Sequence, residues 1–109
     1  MVIDNLDLVF GALSDATRRG MLAQLSQGEM NVSALAAPHS MSQPAISKHL
    51  RVMEGAGLIE RHKRGRETFV RVRPAATDGA AAWISHYSQF WKQHFDAVDS
   101  VLKAKKKRD

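Results

Sequence analysis

The chain has 109 residues, of which 44% are hydrophobic and 25% charged, a composition that fits one globular domain and excludes a disordered chain. It contains no cysteine, which excludes disulfides, thiolate metal sites and a cysteine nucleophile. The net charge of +5 is concentrated in residues 39–73 and 103–109, which indicates either a nucleic-acid partner or a solvated basic face.

Two helices are predicted at the start of the chain. Apolar residues recur at helical spacing over about residues 4–13, which predicts a short amphipathic helix. Ser14 and Asp15 are typical helix-start residues, and the helix that they introduce is expected to stop near Gly28.

Two more helices are predicted before the middle of the chain. A short third helix opens at Asn31 or Val32 and is ended by Pro38. Ser42 caps a fourth helix, and Pro44 lies in its first turn, where the missing N–H does no harm.

A β-hairpin and a long helix are predicted for the second half. The hairpin strands are residues 58–63 and 68–73, with Gly65 at the turn, and the helix runs from about 78 to 102. The predicted order is therefore α-α-α-α-β-β-α, a mainly α chain with a small β-hairpin (α+β). Residues 1–102 are expected to form one domain, followed by a basic, disordered tail over residues 103–109.

The fourth helix, residues 42–53, has two chemically different faces. Ile46, Leu50 and Met53 form a narrow apolar stripe, and the opposite arc carries hydrogen-bond donors that suit base edges and phosphates. The N-terminus of the helix also directs free N–H groups towards an anion. The predicted DNA contacts on this helix are Ser42, Gln43, Pro44, Ser47, Lys48, His49 and Arg51.

The hairpin adds a basic tip to this helix. Lys63, Arg64 and Arg66 surround Gly65, where they can reach the neighbouring backbone or minor groove of a duplex. A short helix, a tight turn, a polar-faced helix and a basic hairpin together predict a winged helix-turn-helix.

Three segments carry a family resemblance: Leu13–Arg19, Met41–Met53 and Ala56–Ile59. They resemble the ArsR/SmtB family of bacterial repressors, and the specific part is the string Ser-Gln-Pro-Ala-Ile-Ser-Lys-His-Leu. The resemblance implies a homodimeric winged helix-turn-helix transcription factor that binds a palindromic operator, usually as a repressor released by an effector. It also implies that the fourth helix reads the DNA. Neither the existence nor the identity of a small-molecule effector follows from the sequence.

Two further positions have alternative roles. His49 lies at the edge of the apolar stripe, so a packed, hydrogen-bonded histidine competes with a phosphate contact. Arg18 and Arg19 lie in the second helix, where either one of them bonds the backbone of the turn or they form ion pairs with Asp15 or Asp7.

Metal sensing is not expected. Many members of the family bind metals through a Cys-x-Cys at the third helix, where this chain has Asn31 and Ser33. A second family site uses Asp and His pairs on the last helix, and those pairs are absent although His86 and His94 are present. The Phe90-Trp91 pair resembles the metal-free branch of the family, so no metal ligand and no cofactor is predicted.

The last helix carries more apolar surface than one packing face needs, which predicts a homodimer formed through the first and last helices. The alternative is a small-molecule pocket lined by the same aromatic side chains. The predicted interface residues are Leu6, Val9, Phe10, Trp83, Tyr87, Phe90, Trp91, Phe95 and Val98.

Other functional classes fit the sequence less well. An enzyme is not indicated, because the chain lacks a phosphate-binding glycine loop, a metalloprotease motif and paired acids. A winged-helix module that binds protein, or a non-specific nucleic-acid binder, remains an alternative to operator binding. No apolar run reaches the length of a membrane span and no secretory pattern is seen, so we expect a cytoplasmic, membrane-free protein with double-stranded DNA as its partner.

Overall fold

A computed structural model describes residues 5–107, so the first four residues of the predicted domain and residues 108–109 of the predicted tail lie outside it. The element order agrees with the prediction except for one additional short strand. The elements are α1 (Asn5–Leu13), α2 (Ala16–Leu25), β1 (Met30–Asn31), α3 (Val32–Ala36), α4 (Gln43–Gly55), β2 (Ile59–Arg64), β3 (Glu67–Val72) and α5 (Ala75–Lys107).

Side-chain caps explain where three of the helices begin. Asp15, Asn31 and Ser42 are the N-caps of α2, α3 and α4, and each accepts the backbone N–H three residues later, at 3.0, 2.7 and 3.3 Å. These side chains satisfy N–H groups that have no partner inside the helix. The predicted starts of α2 and α4 are confirmed, and Asn31 is settled as the cap of α3.

The strands form one antiparallel sheet in the order β1-β3-β2. The β2–β3 hairpin, called the wing below, pairs in register from Ile59↔Val72 to Arg64↔Glu67. Gly65 supplies the left-handed φ of 64° that the turn needs. β1 was not predicted, because a two-residue strand is too short to show a period and is held only by its pairing with β3.

The core lies between the four N-terminal helices and the base of the wing. It includes Met21, Leu25, Leu35, Leu50, Met53 and Val70, all buried. The apolar stripe of α4 therefore faces inwards as predicted, which turns the opposite side of α4 towards solvent. α3, α4 and the wing together form a winged helix-turn-helix.

α5 is longer than the sequence pattern predicted. Its 33 residues correspond to a rod of about 50 Å. It continues through residues 103–107, beyond the predicted end at about residue 102. Lysine and alanine are good helix formers, and Lys103 pairs with Asp99 one turn earlier at 3.1 Å. Within residues 5–107, no helix combines the length and apolar character needed to cross a membrane.

Candidate nucleic-acid interface

α4 presents a polar surface to solvent. Gln43, Pro44, Lys48 and Arg51 are exposed and Ser47 is half-buried; these five residues are called the outer face of α4 below. Within residues 5–107, the side chains of Lys48 and Arg51 form no hydrogen bond or ion pair with the rest of the protein. Two cations on this face are therefore available to an external anion.

The N-terminus of α4 adjoins this face. The hydroxyl of Ser42 accepts the N–H of Ala45, so this side chain caps the helix. It is nevertheless exposed to solvent. Pro44 has no N–H to lose in the first turn. Ala45 and Ile46 both donate their N–H groups to Ser42, so the N–H of Gln43 is the one that the first turn leaves for an anion, at the positive end of the helix dipole.

His49 does not belong to the outer face of α4. Only 13% of its side chain is exposed, and its Nδ1 lies 3.1 Å from Nη1 of Arg18 and 3.8 Å from Asp15 Oδ2. In this structure His49 therefore has the packed, hydrogen-bonded role that was the alternative to a phosphate contact, and its contact with DNA stays a prediction. It sits beside the apolar stripe because its position is three residues after Ile46.

Arg18 and Arg19 both bond the backbone at the end of α1, although a backbone role was predicted for only one of them. Arg18 Nε donates to the carbonyl of Ala12 at 2.7 Å, and Arg19 Nη1 donates to that of Leu13 at 2.7 Å. These bonds satisfy carbonyls that have no helical partner. Arg18 therefore connects the end of α1 to α4 through His49.

Asp15 completes this junction. The backbone N–H of Arg18, together with the charge of Arg18, holds the pKa of the Asp15 carboxyl below its ordinary value of 3.8. The carboxylate is therefore ionised at neutral pH and caps α2 while it lies close to the α4 histidine.

A second link joins α4 to the wing. Arg61 of β2 donates from Nε and Nη2 to the two carboxylate oxygens of Glu54, at 3.2 and 2.8 Å. The hydrogen bonds from Arg61 lower the pKa of Glu54, and Glu54 in turn raises the pKa of Arg61. A bidentate pair is geometrically specific, so it holds the wing at a defined position beside α4.

The three predicted wing contacts are not equivalent. Lys63 and Arg66 are exposed and make no ion pair with any residue in the 5–107 range. Arg64, in contrast, pairs with Glu29, and its guanidinium lies 4.2 Å above the ring centre of Phe69. The sequence did not predict that Glu29 pairs with the wing, because Glu29 is brought close to Arg64 by the pairing of β1 with β3.

A cleft of about 330 Å³ lies between α3, α4 and the wing. Its lining includes Asn31 and Ser33, which occupy the positions of the metal-binding cysteines in the family resemblance. Asn31 Oδ1 is committed to the cap of α3. No group of three or more His, Asp or Glu able to hold a metal is found in the described part of the chain.

α5 exposes a continuous set of large apolar side chains. The members predicted for the dimer interface are Trp83, Tyr87, Phe90, Trp91, Phe95 and Val98, which we call the α5 aromatic face. Neighbouring rings contact one another along the helix, and Trp83 also meets Phe10 of α1 edge to face at 5.9 Å between ring centres.

The α1 part of the predicted interface needs one correction. Val9 is fully buried in the core of this chain, so it is not available to a partner. Leu6 and Phe10 are half-buried and pack against the core, whereas Leu8, which the sequence reasoning missed, is exposed. The one-turn spacing of an amphipathic helix does not by itself distinguish the core face from an adjacent interface face.

The chain is similar to known bacterial regulators. The family model described as "Bacterial regulatory protein, arsR family" matches residues 15–61, which run from the cap of α2 into β2. The transcriptional repressor SdpR of Bacillus subtilis is 30% identical over 79 residues, which cover 72% of this chain and 88% of SdpR.

Solved structures agree with the sequence comparison. A crystal structure of an ArsR family transcriptional regulator matches with a TM-score of 0.76 at 35% identity, covering 82% of this chain and 98% of that one. A homodimeric winged helix-turn-helix DNA-binding domain from Mycobacterium bovis, a possible ArsR-family regulator, matches with a TM-score of 0.61 at 26% identity, covering 85% and 83%. The fold, the α4 sequence and these relatives agree, and the chain belongs to the ArsR family of bacterial regulatory proteins.

Proposed function

We propose that this protein is a homodimeric transcriptional repressor that binds a palindromic operator in double-stranded DNA. It acts by binding and not by catalysis, in the cytoplasm. The observation that carries the proposal is the outer face of α4, where uncommitted donors lie on a helix whose other side is anchored in the core. A helix that is fixed on one side and rich in donors on the other suits the major groove.

The roles on α4 follow from side-chain chemistry. Arg51 suits the O6 and N7 atoms of guanine, and Gln43 suits adenine. Lys48 and Ser47 suit phosphate or base edges. On the wing, Lys63, Arg64 and Arg66 contact the neighbouring backbone or minor groove.

The dimer is supported by the α5 aromatic face. A surface of this size on so small a protein needs a partner, and a second copy brings the same face in two-fold symmetry. Two-fold symmetry can place two α4 helices in successive major grooves, about 34 Å apart. SdpR is a repressor and the Mycobacterium bovis domain is homodimeric, which supports both parts of the proposal by relationship.

The test is a fluorescence-anisotropy titration against duplexes from the region upstream of the protein's own gene, near physiological salt and with excess competitor DNA. We expect saturable binding to one palindromic segment by two chains, and loss of that binding when the palindrome is scrambled. Equal binding to all duplexes would indicate instead a protein that binds nucleic acid non-specifically. Absence of binding to any duplex, including a genomic library, would favour a module that binds protein.

A further inference from the structure

The outer side of the wing carries a cluster that the proposed function does not explain. In β2 and β3, His62 lies opposite Phe69, and Arg64 is two residues further along the same side. The rings of His62 and Phe69 are stacked with their centres 6.1 Å apart, and the Arg64 guanidinium lies over Phe69. Glu29 closes the cluster from the turn before β1.

Glu29 engages both basic side chains. One carboxylate oxygen pairs with Nη2 of Arg64, and the other lies 3.0 Å from Nε2 of His62. His62 Nε2 is also 3.1 Å from Arg64 Nη2, so this nitrogen either donates to Glu29 or accepts from Arg64, depending on the tautomer. In either arrangement, Glu29 satisfies the guanidinium as a DNA phosphate would.

The two sides of this pair differ in freedom. Glu29 is 25% exposed and directly precedes Met30, which is fixed by its pairing with Val70 of β3. Arg64 is 57% exposed, at the end of β2, and has a long flexible side chain. When a phosphate approaches, Arg64 can therefore leave Glu29 and pair with the phosphate, whereas Glu29 stays in place.

We propose that Glu29 is an intramolecular competitor of DNA phosphate, which holds Arg64 on the outer side of the wing and thereby limits the affinity of the wing for the duplex backbone. This inference rests on the proposed function, since it concerns how the same surface is regulated. Lys63 and Arg66 then provide the basal contacts of the wing, and Arg64 is a reserve contact whose use requires breaking an internal ion pair.

The experiment compares wild type with Glu29→Gln, which keeps the shape of the side chain and removes its charge. Binding to one 25-base-pair duplex is titrated at several salt concentrations. One additional phosphate contact changes the slope of log K against log salt by about 0.9 and tightens binding near 0.15 M salt about fivefold. We expect Glu29→Gln to show both changes.

Removal of any acid near DNA also reduces repulsion, so the test needs two controls. In an Arg64→Gln background, Glu29→Gln should lose most of its effect, because there is no cation left to release. Glu60→Gln, on the same side of β2 but paired with Arg71 and Arg73, should change the slope by clearly less than Glu29→Gln. An undiminished effect in the Arg64→Gln background would overturn the proposal in favour of direct repulsion.

A measurement without DNA separates this inference from the proposed function. Hydrogen exchange of the Arg64 Nη2 hydrogens with water, followed by NMR, should be faster in Glu29→Gln than in wild type, because Nη2 is the atom that pairs with Glu29. Equal rates would show that Glu29 does not hold Arg64.

If wild type binds neither the specific nor a random duplex, the proposed function fails and the competition with phosphate fails with it, whatever the exchange rates. If wild type binds and Glu29→Gln has wild-type affinity and slope, only the present inference fails.

Discussion

Nη1 of Arg18 lies 3.1 Å from Nδ1 of His49 and joins the start of α2 to the middle of α4. The same guanidinium also bonds the carbonyls of Gly11 and Ala12 at the end of α1. One side chain therefore connects α1, which packs against α5, to the helix proposed to read DNA. Because the guanidinium supplies the donors, Nδ1 of His49 must be unprotonated to accept from it.

Arg18→Gln should lower the free energy of unfolding by about 2–3 kcal/mol, because hydrogen bonds from a charged donor are lost and half-buried acceptors are left unpaired. Arg19→Gln is a matched control, since Arg19 is more exposed and bonds only the carbonyl of Leu13. It should cost less than about 1 kcal/mol. Urea unfolding at one protein concentration measures both, and equal losses would contradict the connecting role of Arg18.

Stability should also fall in acid, in part through Asp15. Its pKa in the folded state is below the ordinary value of 3.8, chiefly because it accepts the backbone N–H of Arg18, so the unfolded chain takes up a proton first as the pH falls. The stabilisation is complete well above pH 3.8 and is lost as the pH falls through the lower, folded-state pKa. Asp15→Asn retains a capping side chain without a titrating group.

The measurement is the urea midpoint of wild type and Asp15→Asn at about pH 6 and about pH 3. The loss between the two pH values should be smaller in Asp15→Asn. Glu54, whose pKa is lowered by the hydrogen bonds from Arg61, contributes a loss of the same sign. It titrates in both proteins, so a residual loss is expected in the variant. Identical losses in the two proteins would exclude Asp15 from the acid response.

Local sequence signals account for most of the fold. Ser42, Pro44 and the apolar stripe of α4 act within a few residues of one another, so they predicted both where the helix begins and which side faces solvent. Gly65 likewise predicted the turn of the wing. Caps, turns and helical spacing are short-range properties, and the chain satisfies them where the sequence places them.

The missed features depend on contacts between distant parts of the chain. β1 exists only through its pairing with β3, and that pairing brings Glu29 to Arg64, which is 35 residues away in the sequence. The burial of Val9 depends on how α1 packs against α4 and α5. The sequence pattern ends the last helix at about residue 102, but the basic run that follows contains no glycine or proline, and α5 continues to Lys107.

Arg51→Ala should weaken binding to the operator by about 1–3 kcal/mol and relax the preference at one base pair. Lys48→Ala, on the same face of the same helix, should instead weaken binding to all sequences similarly and reduce the salt slope by about one unit. Anisotropy titrations against single-base-pair variants of the operator distinguish the two. If Arg51→Ala weakens all duplexes equally, its role is phosphate contact and not base reading.

The dimer prediction is tested on the α5 aromatic face. Phe95 is 62% exposed in one chain, so its ring adds little to the stability of the isolated fold. In the proposed dimer it is buried, and Phe95→Glu would place an unpaired carboxylate in the interface. We expect the dissociation constant of the dimer to rise by at least about 30-fold, equivalent to the roughly 2 kcal/mol of an interface hot spot.

Gln93→Glu is the matched control, because residue 93 points to the opposite side of α5. Sedimentation equilibrium should show the change in Phe95→Glu alone, with a parallel loss of operator binding. A dimer that is equally stable in both variants would place the interface on another surface.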